Sequence, residues 1–160
     1  LSPLISEVLH QAGASPANIL ELYSGVGFFS IPLSRVSQEL IGIEADRSAV
    51  RQAQENAQLN ERWNVRFFEG QVDATLKGGG SLKPDVVVLD PPRAGCGVRT
   101  AEQIAGLKPQ RIVYVSCNPT TFAREAKVLV GKGYRIRRMT LVDQFPNTYH
   151  IEIVALFEVK

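Results

Sequence analysis

The chain has 160 residues, 44% of them hydrophobic and 21% charged, with a formal net charge of +2. That is enough for one domain with its own core, and too mild an excess of positive charge to argue by itself for a nucleic-acid partner. Two cysteines, Cys96 and Cys117, exclude a disulfide scaffold, and no Cys/His spacing suits a structural metal site. A reducing, cytoplasmic setting is the expectation, since no apolar run is long enough for a membrane span or a signal peptide.

Apolar positions Leu4, Ile5, Val8, Leu9 and Ala12 recur at helical spacing over Leu1 to Ala12, and Gly13 with Ser15-Pro16 ends that helix. Asn18 to Leu22 reads as a short strand that runs into Tyr23-Ser-Gly-Val-Gly27, and a helix is expected from about Phe28 to Val36. Leu40 to Glu44 is the second strand, with an acid at its C-terminal end. Asp46 is a good N-cap for a helix to Leu59. Asn64 to Glu69 reads as the third strand, Gln71 to Leu76 as a helical turn, and Gly78-Gly-Gly-Ser81 as a surface loop. The β-branched run in Asp85 to Asp90 reads as a central buried strand. A helix from about Arg99 to Leu107 follows. Arg111 to Ser116 is the fifth strand, and Asn118-Pro119 opens a helix to about Val130, closed by Gly131-Lys-Gly133. Tyr134 to Val142 and Tyr149 to Val159 are the last two strands.

Strands and helices alternate and then two strands follow in succession. The order predicts an α/β fold: a seven-stranded, mostly parallel sheet with helices on both faces and an antiparallel last strand. If the last strand is the reversed one, its start lies at the edge where the parallel strands end. Glu152 then faces Cys117, at the edge where open α/β sheets bind ligands.

Four stretches gather at that edge. Glycines in Ser24-Gly25-Val26-Gly27 let the backbone approach a ligand closely, and Glu44 can accept hydrogen bonds from both hydroxyls of a ribose. Ser30 stands where a dinucleotide fingerprint has its third glycine, so the loop favours a nucleoside cofactor. Gln71 is placed to pair with an adenine edge or is a solvated loop residue. Asp90-Pro-Pro-Arg93 is a stiff turn in which Asp90 either positions a polar group or caps the turn. Cys117 lies where a helix N-terminus favours a thiolate, although isolated cysteines are commonly buried spacers. Cys96, between glycines, reads as an incidental loop residue. His150 and Glu152 share one face of the last strand.

Leu22-Tyr-Ser-Gly-Val-Gly27, Asp90-Pro-Pro-Arg-Ala-Gly95, Val115-Ser-Cys-Asn-Pro119 and Phe145-Pro-Asn-Thr-Tyr-His-Ile-Glu152 together resemble the RNA uridine-C5 methyltransferase family, over essentially the whole chain. The resemblance implies a Rossmann-like class I methyltransferase domain over 1–160, with S-adenosylmethionine as cofactor and tRNA or ribosomal RNA as substrate. No membrane or metal is implied. It implies that Tyr23, Gly25, Gly27 and Phe28 line the methionine portion of the cofactor, that Glu44 holds the ribose, and that Gln71 or its neighbours hold the adenine. Asp90 would serve both cofactor and target base, Cys117 would be the nucleophile, and Glu152 the general base. The RNA-binding N-terminal region of the family has no counterpart here, so the chain is expected to be a catalytic domain from a longer protein.

Two other readings stand beside this one. An amino methyltransferase would need no cysteine and would favour an aromatic residue where Arg93 stands. A non-catalytic RNA-binding module would use the basic cluster of Arg124, Lys127, Lys132, Arg135, Arg137 and Arg138.

Overall fold

The structure, a computed structural model, describes residues 2–78, 80–144 and 151–160. Among them the chain forms α1 (Pro3–Ala12), β1 (Asn18–Leu22), α2 (Ser30–Ser34), β2 (Glu39–Glu44), α3 (Arg47–Leu59), β3 (Val65–Glu69) and α4 (Val72–Gly78). It continues with β4 (Val86–Leu89), α5 (Val98–Gly106), β5 (Arg111–Ser116), α6 (Pro119–Gly131), β6 (Tyr134–Asp143) and β7 (Ile151–Val159). No helix among the described residues is long and apolar enough to cross a membrane.

The seven strands form one sheet in the order β3-β2-β1-β4-β5-β7-β6. Strands β1 to β5 pair in parallel, and β7 runs antiparallel to both of its neighbours. The expected topology holds. Every residue of Val86–Leu89 is buried, because helices cover both faces of the sheet centre. On one face Leu20, Leu22, Val87, Leu89, Ile112 and Tyr114 pack with Val72, Ala101, Ile104, Phe122 and Leu129 of α4, α5 and α6. On the other, Ile19, Val86, Val88, Val113 and Val115 pack with Leu4 and Val8 of α1, with Leu33 of α2, and with Phe29.

Caps fix where the helices start. Asp46 accepts from the Ala49 N–H at 2.8 Å, and Asn118 accepts from the Thr120 N–H at 3.0 Å with Pro119 at the first helical position. The helix expected over 28–36 is only Ser30–Ser34. Positive φ at Gly25 and Gly27 keeps the preceding loop in turns. Beyond Ser34 the Arg35 and Val36 N–H groups bond three residues back, to Pro32 and Leu33, which closes the helix in a tight turn. Helix α4 runs on through Gly78, where a loop was expected, and the expected start of β7 at Tyr149 lies outside the described residues.

The β5–β7 register decides what meets at the carboxyl edge. Ser116 is the last paired residue of β5 and lies opposite Ile153. Cys117 and Glu152 are the next residues beyond that pair. Asp90 leaves β4 just past the Leu89–Tyr114 pair, on the adjacent strand.

Gly42 of β2 carries a second local constraint. A Cβ there would lie 2.6 Å from Cδ1 of Phe67 and 3.1 Å from the Ser24 hydroxyl, under the loop between β1 and α2. Gly42→Ala should therefore lower stability by about 1–3 kcal/mol in urea unfolding. An unchanged midpoint and slope would contradict this packing.

Candidate active site

The loop after β1 is built on strained backbone. Tyr23 has φ 62°, Gly25 φ 53° and Gly27 φ 88°. An ordinary side chain rarely holds such a conformation, and its presence at Tyr23 marks a position that the surroundings over-determine. The Ser24 N–H bonds to the Ile43 carbonyl at 3.1 Å, and the Asn56 side-chain amide donates to the Val26 carbonyl at 2.9 Å, so β2 and α3 hold the loop in place. Around Gly25 a Cβ would meet nothing within 4 Å. The outer side of the loop is open to a ligand where backbone must come close.

Glu44 ties this loop to the next helix. One carboxylate oxygen accepts the Gly25 N–H at 2.9 Å and the other accepts the Asp46 N–H at 2.9 Å. Each oxygen keeps a further lone pair for a ligand hydroxyl. Tyr23 is half-buried, and burial pushes its phenol pKa upward, with the Cys96 thiol and Glu125 adding to the shift. Gln71 is exposed and lines a cleft of about 270 Å³ with Tyr23, Asp73, Cys96, Arg99 and Thr100. Phe28, 50% exposed, stands edge-on to Phe29 with ring centroids 4.9 Å apart. A cavity of about 210 Å³ lined by Asn18, Leu20, Glu39 and Leu82 lies at the start of the strands, remote from these groups.

Asp90 follows β4, Cys117 follows β5 and Glu152 lies near the start of the reversed β7, so all three stand at the carboxyl edge of the sheet. The Asp90 N–H bonds to the Leu22 carbonyl at 3.4 Å. Asp90 keeps solvent-exposed surface while protein shields part of its carboxyl. Burial, and then the negative charge of Glu152, push its pKa up to about 7. The antiparallel β5–β7 pairing bears out the expectation that the last strand starts at this edge. Glu152 is half-buried and pairs with Val142. Cys117 is a free, half-buried thiol. Around it Ser116 bends the chain: its hydroxyl accepts from the Asn118 N–H and donates to the Asn118 carbonyl, both at 3.1 Å. His150 and the rest of 145–150 lie outside the described residues.

Two functional-looking acids are absent from the sequence-based set. Glu21 of β1 is 2% exposed and accepts a hydrogen bond from the Ser30 hydroxyl. Burial, with the charges of Asp90 and Glu44 behind it, pushes its pKa up to about 8. Its signal in the sequence is an acid between Leu20 and Leu22 in a strand buried on both faces. Glu125 sits on the apolar side of α6 beside Phe122, Ala126 and Leu129, with no exposed side-chain surface. It accepts hydrogen bonds from Cys96, Gly97, Tyr114 and Arg124. Cys96 is thus more than an incidental loop residue. Its thiol lies 3.3 Å from Glu125, and burial together with that carboxylate pushes its pKa up to about 12. Such a thiol is unreactive at neutral pH. Of the basic cluster, Arg124, Lys132, Arg137 and Arg138 sit in ion pairs with Glu125, Glu102, Glu158 and Glu7. Among the described residues no group of His, Cys, Asp and Glu is arranged to hold a metal ion.

A doubly covered sheet with a reversed β7 and a glycine loop after β1 defines a class I methyltransferase fold. The precorrin-6y C5,15-methyltransferase of Geobacter metallireducens shares it over 98% of this chain and 87% of that one, with a TM-score of 0.77 at 14% identity. Residues 3–160 match the model of the tRNA (uracil-5-)-methyltransferase family, and the chain belongs to that family. It is similar to an RNA methyltransferase of Aquifex aeolicus, 47% identical over 88% of this chain and 33% of that protein. It is also similar to the 23S rRNA (uracil(1939)-C(5))-methyltransferase RlmD of Pseudomonas putida, 44% identical over 88% of this chain and 31% of that protein. The crystal structure of Pyrococcus abyssi tRNA (uracil-54, C5)-methyltransferase in complex with S-adenosyl-L-homocysteine superposes with a TM-score of 0.83 at 36% identity, covering 96% of this chain and 37% of that one. The chain spans about a third of the length of the curated relatives it matches.

Glu21 makes stability depend on pH in a defined direction. Its carboxyl titrates near 8 when folded and near 4.5 as a free group, so the folded state holds the proton more tightly. The stability this contributes is complete below pH 4.5 and is lost as pH rises toward 8. Glu21→Gln keeps an acceptor for Ser30 and removes the ionisation. Relative to the parent, it should therefore gain stability between pH 5 and pH 8, a window of about 3 pH units over which each unit is worth up to ~1.4 kcal/mol. Parallel stability curves for the two proteins in thermal unfolding would contradict the burial described.

Proposed function

We propose that this chain is the catalytic part of an S-adenosylmethionine-dependent enzyme that methylates C5 of a uridine in tRNA or ribosomal RNA. One observation supports the reading: the β5–β7 register ends at the Ser116–Ile153 pair, so Cys117 and Glu152 both lie just beyond it at the carboxyl edge of the sheet, where the charge of Glu152 also reaches Asp90. A thiol, a base and a base-positioning acid in one cleft are what this reaction needs.

Tyr23, Gly25, Gly27, Phe28, Glu44, Gln71 and Asp90 are the residues assigned to the cofactor. The open face at Gly25 and the free lone pairs of Glu44 suit a nucleoside with two ribose hydroxyls. Acidic groups at Glu44, Asp90 and Glu152 suit a sulfonium cation at this edge, whereas Glu21, titrating near 8, stays largely protonated at neutral pH. When bound, S-adenosylmethionine supplies an electrophilic methyl group.

The chain's own residues supply the rest. C5 of uracil is a weak nucleophile. Addition of the Cys117 thiolate to C6 moves the C5=C6 electron pair toward C5 and the C4 carbonyl, making C5 enolate-like and able to take the methyl group. Glu152 then accepts the C5 proton, the S–C6 bond breaks, and the C5=C6 double bond returns with the thiolate as leaving group. Asp90 orients the pyrimidine by hydrogen bonding. The target base has to leave its stack to reach the thiol.

Cys117→Ala should lower uridine-C5 methylation of RNA by about a thousandfold or more, measured by nucleoside mass spectrometry, while calorimetry finds cofactor affinity nearly intact. Retained turnover would instead favour an amino methyltransferase. Glu152→Gln should accumulate protein covalently bound to methylated RNA, visible as a denaturation-resistant band. Prompt release of product by that variant would remove Glu152 from the role of base.

A further inference from the structure

The loop that follows Asp90 and the helix that follows Cys117 are distant in sequence but fastened together. Four side chains of α6 and its cap reach the loop 91–97. Asn118 donates to the Arg93 carbonyl at 3.0 Å, and Thr121 donates to the same carbonyl at 3.4 Å. Arg124 donates to the Ala94 carbonyl at 3.2 Å. Glu125 accepts the Cys96 N–H at 3.1 Å and the Gly97 N–H at 2.9 Å.

The Glu125 contacts differ in kind from the others. Gly95 and Gly97 have φ 81° and 86°, and this left-handed backbone on either side of Cys96 turns two successive N–H groups onto one carboxylate. A Cβ on Gly95 would lie 2.2 Å from Oε1 of Glu125, so carboxylate and loop are in closest contact there. Tyr114 of β5 donates its hydroxyl to the same group, and Arg124 does so at 2.6 Å. Burial alone would raise the pKa of this carboxyl, but the donors outweigh it and hold the group below the usual carboxylate range. A buried, ionised acid with this many donors has no lone pair left over for a ligand. Its work is on the protein.

We propose that Glu125 is a positioning residue: it clamps the 91–97 loop to the helix that follows Cys117, and so sets the separation of Asp90 from the thiol and the position of the cleft wall at Cys96. This rests on the proposed reaction, because only then must Asp90 and Cys117 meet one base. Glu125→Gln keeps the volume but replaces one acceptor oxygen with a donor, which then faces a backbone N–H. An unclamped loop misplaces Asp90 without removing any reacting group.

The test uses the full chain with Glu125→Gln and the conservative Glu125→Asp. In Glu125→Gln, kcat for uridine methylation should fall by about a hundredfold with KM for RNA little changed. Glu125→Asp should recover part of that loss. Independently of activity, hydrogen exchange should show the Cys96 and Gly97 amides protected in the parent and open in Glu125→Gln, and the Cys96 thiol should alkylate faster. Protected amides in Glu125→Gln, or a loss of kcat matched by the loss of folded protein, would overturn the clamp. A parent protein that methylates no uridine would refute the proposed function. The amide exchange and Cys96 alkylation would then still decide for or against the clamp.

Discussion

The antiparallel insertion of β7 between β5 and β6 is the constraint on which the site depends. Had the last two strands simply extended the sheet in sequence order, β6 would pair with β5 and the start of β7 would lie one strand further away. Reversal and insertion place Ile153 against Ser116, and that pairing puts Glu152 and Cys117 at the same edge of the sheet. The sheet pays for this only at its edge, where β6 carries Arg135, Arg137 and Arg138, charges that discourage pairing with another chain. The centre, β4 and β5, is buried on both faces and gives the edge residues a rigid base.

Charge is the second organising feature. Glu21 accepts a hydrogen bond from Ser30 of α2, Glu44 bridges the glycine loop to the start of α3, and Asp90 feels the charge of Glu152. Burial first, and neighbouring negative charge after it, push the Glu21 and Asp90 pKa values up to about 8 and about 7. An edge of this kind is less stable than one lined with neutral residues, and it suits a cationic ligand. Glu125 belongs to a separate network, on the protein side of the 91–97 loop, where donors saturate it.

The sequence made most of this architecture legible because its signals were local. Asp46 and Asn118 announced helix starts through their own hydrogen bonds, and the valines of β4 announced a doubly covered strand. Gly25, Gly27, Glu44, Asp90 and Cys117 could be assigned to one edge because each follows directly on a parallel strand. Glu152 required topology as well, and the direction of β7 supplied it. What stayed hidden depends on contacts between distant segments. Glu21 sits inside the first strand, where only its burial between two leucines in the folded sheet marks it as unusual. Glu125 looks like any acid of a polar helix until the 91–97 loop is folded against it. Cys96 looked incidental for the same reason.

The central claim is that Cys117 forms a covalent bond to the target base, and trapping tests it most directly. The protein is mixed with S-adenosylmethionine and RNA carrying 5-fluorouridine at the target position, and any adduct is mapped by mass spectrometry. Fluorine at C5 leaves Glu152 no proton to remove, so the S–C6 bond persists. The account predicts an adduct on Cys117 and none on Cys96. An adduct on Cys96, or methylation of ordinary uridine RNA by a protein that never forms an adduct with the fluorinated one, would contradict it.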